Sequence, residues 1–273
     1  MALFDGIVIV SDLDGTFLGK NSRIVPENME KIRYFQQNGG RFTVATGREY
    51  ILIERDIPSI CEICNFPAIA CNGSYIIDLK THKKLREVFL DDQALEQMMI
   101  KIVSIFPHVG FRISMKDDNY YLVHMYPGAE WINDYSPERV REMPFDKMPR
   151  GVWYKVAFDG PADEIDDATR MIGQLDERFV SVRASKHILE VQPAKGTKGA
   201  MLDYMREITG KGTIWAIGDY ENDIAMLKAA DRRAVPENGL PVLKNLPGAV
   251  VVCNHDQGAI AGLIDYIEGE LRA

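Results

Sequence analysis

Apolar residues along the chain fall into two kinds of segment. Short unbroken runs stop abruptly at turn or polar residues. These are Ile7-Val8-Ile9-Val10 before Ser11-Asp12-Leu13-Asp14-Gly15-Thr16, Phe42-Thr43-Val44-Ala45 before Thr46-Gly47-Arg48, Ala68-Ile69-Ala70-Cys71 before Asn72-Gly73, Thr213 to Ile217 before Gly218-Asp219, and Ala249 to Cys253 before Asn254-His255-Asp256. Runs apolar on both faces suit strands of a parallel sheet covered by helices. Between them the apolar spacing lengthens to three and four. Pro26 to Asn38 puts Met29, Ile32 and Phe35 on one face, begins with proline and stops at Gly39. Thr197 to Thr209 carries Met201, Leu202, Met205 and Ile208 between a capping threonine and Gly210. Asn222 to Ala230 carries Ile224 and Leu227. Strand and helix alternate at both ends of the chain, which predicts an α/β fold with a doubly wound, Rossmann-like parallel core.

The middle has a different rhythm. An amphipathic helix with Leu95, Met98, Met99, Ile102 and Ile105 precedes alternating strands at Phe111 to Met115 and Tyr120 to His124. A second helix holds Ile165, Ala168, Ile172 and Leu175, flanked by strands near Val152 to Phe158 and Phe179 to Arg183. Half-polar faces predict an α+β layer with one sheet face uncovered. We read residues 82–186 as an inserted α+β cap domain, and 1–81 with 187–273 as one split core domain.

Composition changes this picture little. A chain of 273 residues, 46% apolar and 26% charged, is that of an ordinary globular protein of about two domains. The formal net charge of −8 counts against a basic surface for nucleic acid. No apolar run approaches the ~20 residues that span a bilayer, and the N-terminus shows no secretion signal, so no membrane partner is expected. Four cysteines (Cys61, Cys64, Cys71 and Cys253) make no disulfide scaffold, and a reducing cytoplasm is the simplest setting. Cys61-x-x-Cys64 lacks the further Cys or His ligands of a zinc site.

The chemistry-bearing residues all follow predicted strands, where open α/β sheets bind their ligands. Asp12 and Asp14, Thr46 with Gly47 and Arg48, and Asp219 with Asp223 therefore come to one rim, and Lys198 joins them from the first turn of a helix. Four carboxylates beside so few cations repel one another unless a hard divalent cation joins them. An all-oxygen set that leaves room for water and phosphate suits Mg²⁺. The Thr46 hydroxyl and the Gly47 N–H are donors fitted to phosphoryl oxygens, and the helix start with Lys198 favours an anion. One carboxylate can attack phosphorus while another moves the proton. Spacing alone leaves open which Asp does which.

Asp12-Leu13-Asp14-Gly15-Thr16, Ala45-Thr46-Gly47-Arg48, Lys198-Gly199 and Gly218-Asp219-Tyr220-Glu221-Asn222-Asp223 resemble, in order, the four motifs of the haloacid dehalogenase superfamily. They resemble in particular its Cof-type phosphatases, whose cap is inserted between the second and third motifs. The resemblance runs over nearly the whole chain, including Asn72-Gly73 and the tail around Asn238 and Gly258. It implies that Asp12 is the nucleophile that becomes an aspartyl-phosphate. Asp14 would protonate the leaving alcohol and then activate the water. Thr46 and Lys198, with Asn222 nearby, would hold the phosphoryl group. Asp12, the Asp14 backbone carbonyl and Asp219 would ligate Mg²⁺, with Asp223 supporting its waters. Asp at position 14 favours phosphatase over dehalogenase or phosphonatase chemistry. The expected activity is Mg²⁺-dependent hydrolysis of a small phosphorylated metabolite, a sugar phosphate foremost, with a cap that closes over the rim and selects the leaving group.

Several points stay open in the sequence. Lys195 competes with Lys198 for the third motif. Arg48 fits either a substrate contact or an ion pair with an acidic rim residue, Thr46 also fits a helix N-cap, and Asn72 fits a simple turn with Gly73. His124, Tyr126, Trp131 and His187 in the insertion are read as core or surface residues rather than a substrate face. Neither a phosphate-binding Gly-x4-Gly-Lys-Ser/Thr loop nor a dinucleotide GxGxxG occurs. Transfer of the phosphoryl group to an alcohol, as in a mutase, is the second reading. A ligand-sensing protein on a retired scaffold is the third, and the intact Asp12/Asp14 pair argues against it. A monomer or a small homo-oligomer is expected.

Overall fold

The computed structural model describes residues 2–124, 139–210 and 212–273. They form two compact units, one running to Arg86 and resuming with Thr197–Ala273, the other Glu87–Gly196.

The first unit is built on five parallel strands in the order Ala249–Val252, Arg232–Pro236, Thr213–Ile217, Ile7–Ser11, Arg41–Val44. The central strand Ile7–Ser11 is buried from Val8 onward, which is why it reads as an unbroken apolar run. Pro26–Gln37 packs against Ala259–Arg272, and Lys198–Thr209 against Ile224–Ala229. From Ile7–Ser11 the chain first moves to the edge strand Arg41–Val44 and later returns on the other side with Thr213–Ile217. The strand order therefore reverses between Ile7–Ser11 and Thr213–Ile217, and such a switch point opens a crevice at the carboxyl ends of the two strands. Asp12 and Asp219 lie just beyond those ends.

Two strands depart from the sequence reading. Ala68–Ala70 touches the parallel sheet only through one bridge from Ile69 to Ala45, then pairs antiparallel with Tyr75–Asp78. Cys71, Asn72 and Gly73 all take positive φ, which reverses the chain there. Arg232–Pro236 is a core strand that the sequence conceals, because its two leading arginines break the apolar run and only Ala234, Val235 and Pro236 are buried.

The second unit has a six-stranded sheet in the order Val140–Glu142, Tyr120–His124, Gly110–Met115, Trp153–Asp159, Ile188–Pro193, Phe179–Ser185. Helices Asp92–Ile105 and Ala162–Ile172 pack on it through Leu95, Met99, Ile102, Ile165, Ala168 and Ile172. Ile188–Pro193 lies between two strands of this sheet, so residues 187–196 belong to the second unit rather than to the core. Lys83–Glu87 joins the Ala68–Ala70 and Tyr75–Asp78 sheet, which keeps 82–86 with the core. The sheet face opposite the helices is expected to be solvated, but Arg112, Ser114, Lys155, Glu190 and Gln192 are each buried, and Lys155 Nζ lies 2.8 Å from Glu190 Oε1. Among the described residues, no helix is long and apolar enough to cross a membrane.

Candidate active site

Each side chain at the rim is placed by a short stretch of backbone. Asp12 follows the last residue of its strand, and its N–H donates to Ile217 O at 2.8 Å, which ties it to the neighbouring strand. Lys198 opens its helix behind Thr197, whose hydroxyl accepts the Ala200 N–H at 3.1 Å as an N-cap. The Asn72-Gly73 turn rests against that helix start. A Cβ on Gly73 would lie 2.3 Å from the Thr197 carbonyl carbon, and its φ is +110°. We expect Gly73→Ala to cost at least about 2 kcal/mol in urea unfolding, because both the close approach and the left-handed backbone exclude a side chain.

The centre is a buried ion cluster. Lys198 Nζ donates to Asp12 Oδ1 at 2.5 Å and to Asp223 Oδ1 at 2.8 Å, and the three residues are almost wholly shielded from solvent. Asp223 Oδ2 accepts the N–H groups of Asp219 and Tyr220 at 3.0 and 3.2 Å, so this carboxylate also shapes the loop that carries Asp219. Gly218 permits this, since a Cβ there would lie 2.4 Å from Asp223 Cγ. Thr16 Oγ1 donates to Asp219 Oδ1 at 2.9 Å.

Burial pushes the Asp12 carboxyl well above its ordinary range, and the Asp223 and Asp219 carboxylates push the same way while Lys198 opposes them. Burial likewise raises Asp219 to about 6, against the Thr16 hydrogen bond. Burial alone would lower Lys198, but the charges of Asp12 and Asp223 outweigh it and hold the ammonium above its usual value. Three carboxylates facing one ammonium leave the cluster short of positive charge. Asp12, Asp219 and Asp223 each offer a carboxylate oxygen, all within 4.8 Å of one another. That all-oxygen set fits a hard divalent cation such as Mg²⁺.

The remaining residues sort themselves around this centre. Thr46 is buried at the end of its strand, where its hydroxyl accepts the Arg48 N–H at 3.2 Å. The helix that follows starts instead behind Glu49, so Thr46 is not its N-cap. Arg48 takes the ion-pair alternative. Its Nε donates to Asp14 Oδ2 at 2.9 Å, its Nη2 to Asp14 Oδ1, and its Nη1 to Asp56 Oδ2 at 2.5 Å. The Asp14 side chain is 54% exposed and lies outside the three-carboxylate cluster. Lys195 is exposed and belongs to the second unit, whereas Lys198 is the lysine among the carboxylates.

Asn72 is more than a turn residue. It is buried at φ +56°, its N–H donates to Thr46 O at 2.8 Å, and its Oδ1 accepts Asn222 Nδ2 at 3.4 Å. It thereby links the Thr46 loop to the Asn222 loop. The Asn-Gly pair directly after an apolar run was the available signal, since asparagine tolerates the left-handed region. Thr16, which holds Asp219, carried no separate signal. In the insertion, His187 Nδ1 lies 3.1 Å from Gly160 O, a contact within the second unit. Tyr126, Trp131 and the His124 side chain lie outside the described residues. None of the four cysteines is in a disulfide, and burial pushes Cys64 up to about 12.

The chain is similar to known proteins. A sequence profile for haloacid dehalogenase-like hydrolases matches residues 9–264. YwtE of Bacillus subtilis, a 5-amino-6-(5-phospho-D-ribitylamino)uracil phosphatase, is 25% identical over an alignment that takes in 95% of this chain and 97% of that protein. A haloacid dehalogenase-like hydrolase from B. subtilis superposes with a TM-score of 0.80 at 19% identity, over 95% of this chain and 99% of that one. The subclass IIB sugar phosphatase BT4131 superposes at 0.78 and 16% identity, over 95% and 98%. At these identities the two superpositions establish the shared fold.

Proposed function

Because the chain belongs to the haloacid dehalogenase-like hydrolase family, we propose that it is a Mg²⁺-dependent phosphomonoesterase. Its substrate is a small phosphorylated metabolite, a sugar phosphate foremost. The observation that carries this reading is the Lys198 ammonium set between Asp12 and Asp223, with Asp219 in reach, at the strand-order switch point. The names of relatives support the substrate class: one acts on a phosphorylated ribityl chain and another is a sugar phosphatase.

In this reading Asp12 attacks phosphorus, the bond from phosphorus to the leaving oxygen breaks, and Asp14 donates a proton to that oxygen. Asp14 then accepts a proton from the water that attacks the aspartyl-phosphate, which releases inorganic phosphate and restores Asp12. Lys198, the Thr46 hydroxyl and the Gly47 N–H hold the phosphoryl oxygens, with Asn222 at the side. Asp12, Asp219 and the Asp14 backbone carbonyl would hold Mg²⁺, with the Asp223 carboxylate beside them. When bound, Mg²⁺ neutralises the carboxylates that would otherwise repel the phosphate and draws charge from its oxygens.

The test is phosphate release from a panel of sugar phosphates, nucleotides, pyridoxal phosphate and flavin mononucleotide, with Mg²⁺ and with a chelator. We expect release from at least one sugar phosphate, lost on chelation. Silence across the whole panel with Mg²⁺ present overturns the reading.

A pH dependence follows from Asp219. A carboxyl raised to about 6 holds its proton more tightly in the folded chain than in the unfolded one. Its contribution to stability therefore falls as pH rises from about 4 through about 6. Mg²⁺ needs the ionised carboxylate, so its affinity weakens about tenfold per pH unit below about 6. We expect the thermal stabilisation by Mg²⁺ at about pH 7.5 to shrink markedly at about pH 5. An equal gain at both would remove Asp219 from the ligand set.

A further inference from the structure

We infer that Asp56 is a positioning residue for the proton-transfer step, and that through Arg48 it fixes the orientation of the Asp14 carboxylate. This rests on the phosphatase reading, in which Asp14 serves the leaving oxygen.

Asp14 is the one rim carboxylate whose side chain is mostly in solvent, so packing does not set its rotamer. The hydrogen bonds that do set it come from Arg48, whose Nε and Nη2 take one carboxylate oxygen each. A two-point fork fixes the plane of the carboxylate as well as its direction. The fork is only as fixed as the guanidinium, and Asp56 holds that group from its far side, with Oδ2 2.5 Å from Arg48 Nη1. Arg48 is thus spread between two carboxylates and is only 19% exposed.

Asp56 gains nothing from its own helix. It is the last residue of Tyr50–Asp56, where the backbone carbonyls already concentrate negative charge. Its compensation is the pair of arginines beside it, Arg48 and Arg55, the latter with Nε at 2.6 Å and Nη2 at 3.0 Å. Charges alternate along Asp14, Arg48, Asp56 and Arg55, and the outer pair stiffens the inner one. Asp56 makes no contact with the Asp12, Lys198 and Asp223 cluster among its described hydrogen bonds, so its effect on the reaction passes through Arg48.

The leaving group provides a readout that a merely structural role would not move. An alkoxide needs a proton as it departs, and a nitrophenolate scarcely does. The ratio kcat/KM covers the steps through departure of the leaving group. In the full chain with Mg²⁺, D56N is expected to lower kcat/KM on an alkyl phosphate by about tenfold, part of the ~10²–10⁴ that general acid catalysis supplies. On p-nitrophenyl phosphate the loss should be several times smaller. D56E should recover most of the activity, and D56N should add no further loss in an R48A background. Equal losses on both esters, an undiminished loss in the R48A background, or no loss at all would each overturn the inference. D12N separates the two readings. Activity retained in D12N removes the phosphatase mechanism itself, whereas an inactive D12N beside an unaltered D56N removes only the role of Asp56.

Discussion

Asp12→Asn is expected to lower phosphate release by at least about 10⁴-fold, equivalent to ~5.5 kcal/mol of barrier, while leaving the fold intact. The amide keeps the shape of the side chain and removes the nucleophilic oxygen. Stability should hold or rise. Asp12 is buried beside Asp223 and Asp219, and its raised carboxyl shows that the ionised form is costly there. A neutral amide removes one of the three crowded carboxylates, and Lys198 keeps its contact with Asp223. Phosphate release and thermal unfolding of the same preparation check both halves. Turnover within tenfold of the wild type, in a variant that melts normally, would remove Asp12 as nucleophile.

Lys198→Met should have the largest effect on stability. The lysine is almost completely buried, with its ammonium shared by two buried carboxylates. Methionine fills a similar volume and leaves Asp12 and Asp223 without their cation, a change that costs about 3–5 kcal/mol when one partner of a buried ion pair is removed. Two conditions should reduce the loss. Mg²⁺ supplies positive charge to the same oxygens, and lower pH protonates Asp12, whose carboxyl is already raised. Urea unfolding at about pH 7.5 and about pH 5, with and without Mg²⁺, reads all of this. A variant as stable as the wild type at the higher pH without Mg²⁺ would show that the pair carries no such weight. Phosphate release should also fall by about 10²–10³-fold, the usual consequence of losing one group that stabilises developing charge.

The residues differ in how legible they were. The runs at Ile7–Ser11 and Thr213–Ile217 could be read directly, because both faces of these strands are buried and a doubly covered strand has no polar alternation to blur it. Arg232–Pro236 could not, since its first arginine is exposed, its second half-buried, and only three of its residues carry the apolar signal. Ala68–Ala70 has the same composition as a core strand, yet the left-handed turn after it diverts the chain into an antiparallel sheet. Ile188–Pro193 alternates Leu189 and Val191 with Glu190 and Gln192, a one-sided pattern that belongs to the inserted sheet. At the site, Asp12, Thr46, Asp219 and Asp223 were visible because each follows a strand in a motif-like setting. Asn72 was visible only as a turn residue and Asp56 not at all, because their meaning lies in which distant side chain each one touches.

The sequence by itself determined which polar residues stand at the ends of buried strands and which helix begins at Lys198. Those features follow from short-range periodicity, capping and turn chemistry, all within a few residues of one another. Only the tertiary structure decided that Lys198, rather than Lys195, meets Asp12 across 186 positions of chain, and that Arg48 spends its guanidinium on Asp14 and Asp56. The reason is physical. Which carboxylate meets which cation depends on the order in which strands pack side by side, and that order is set by the burial of whole faces rather than by any local pattern.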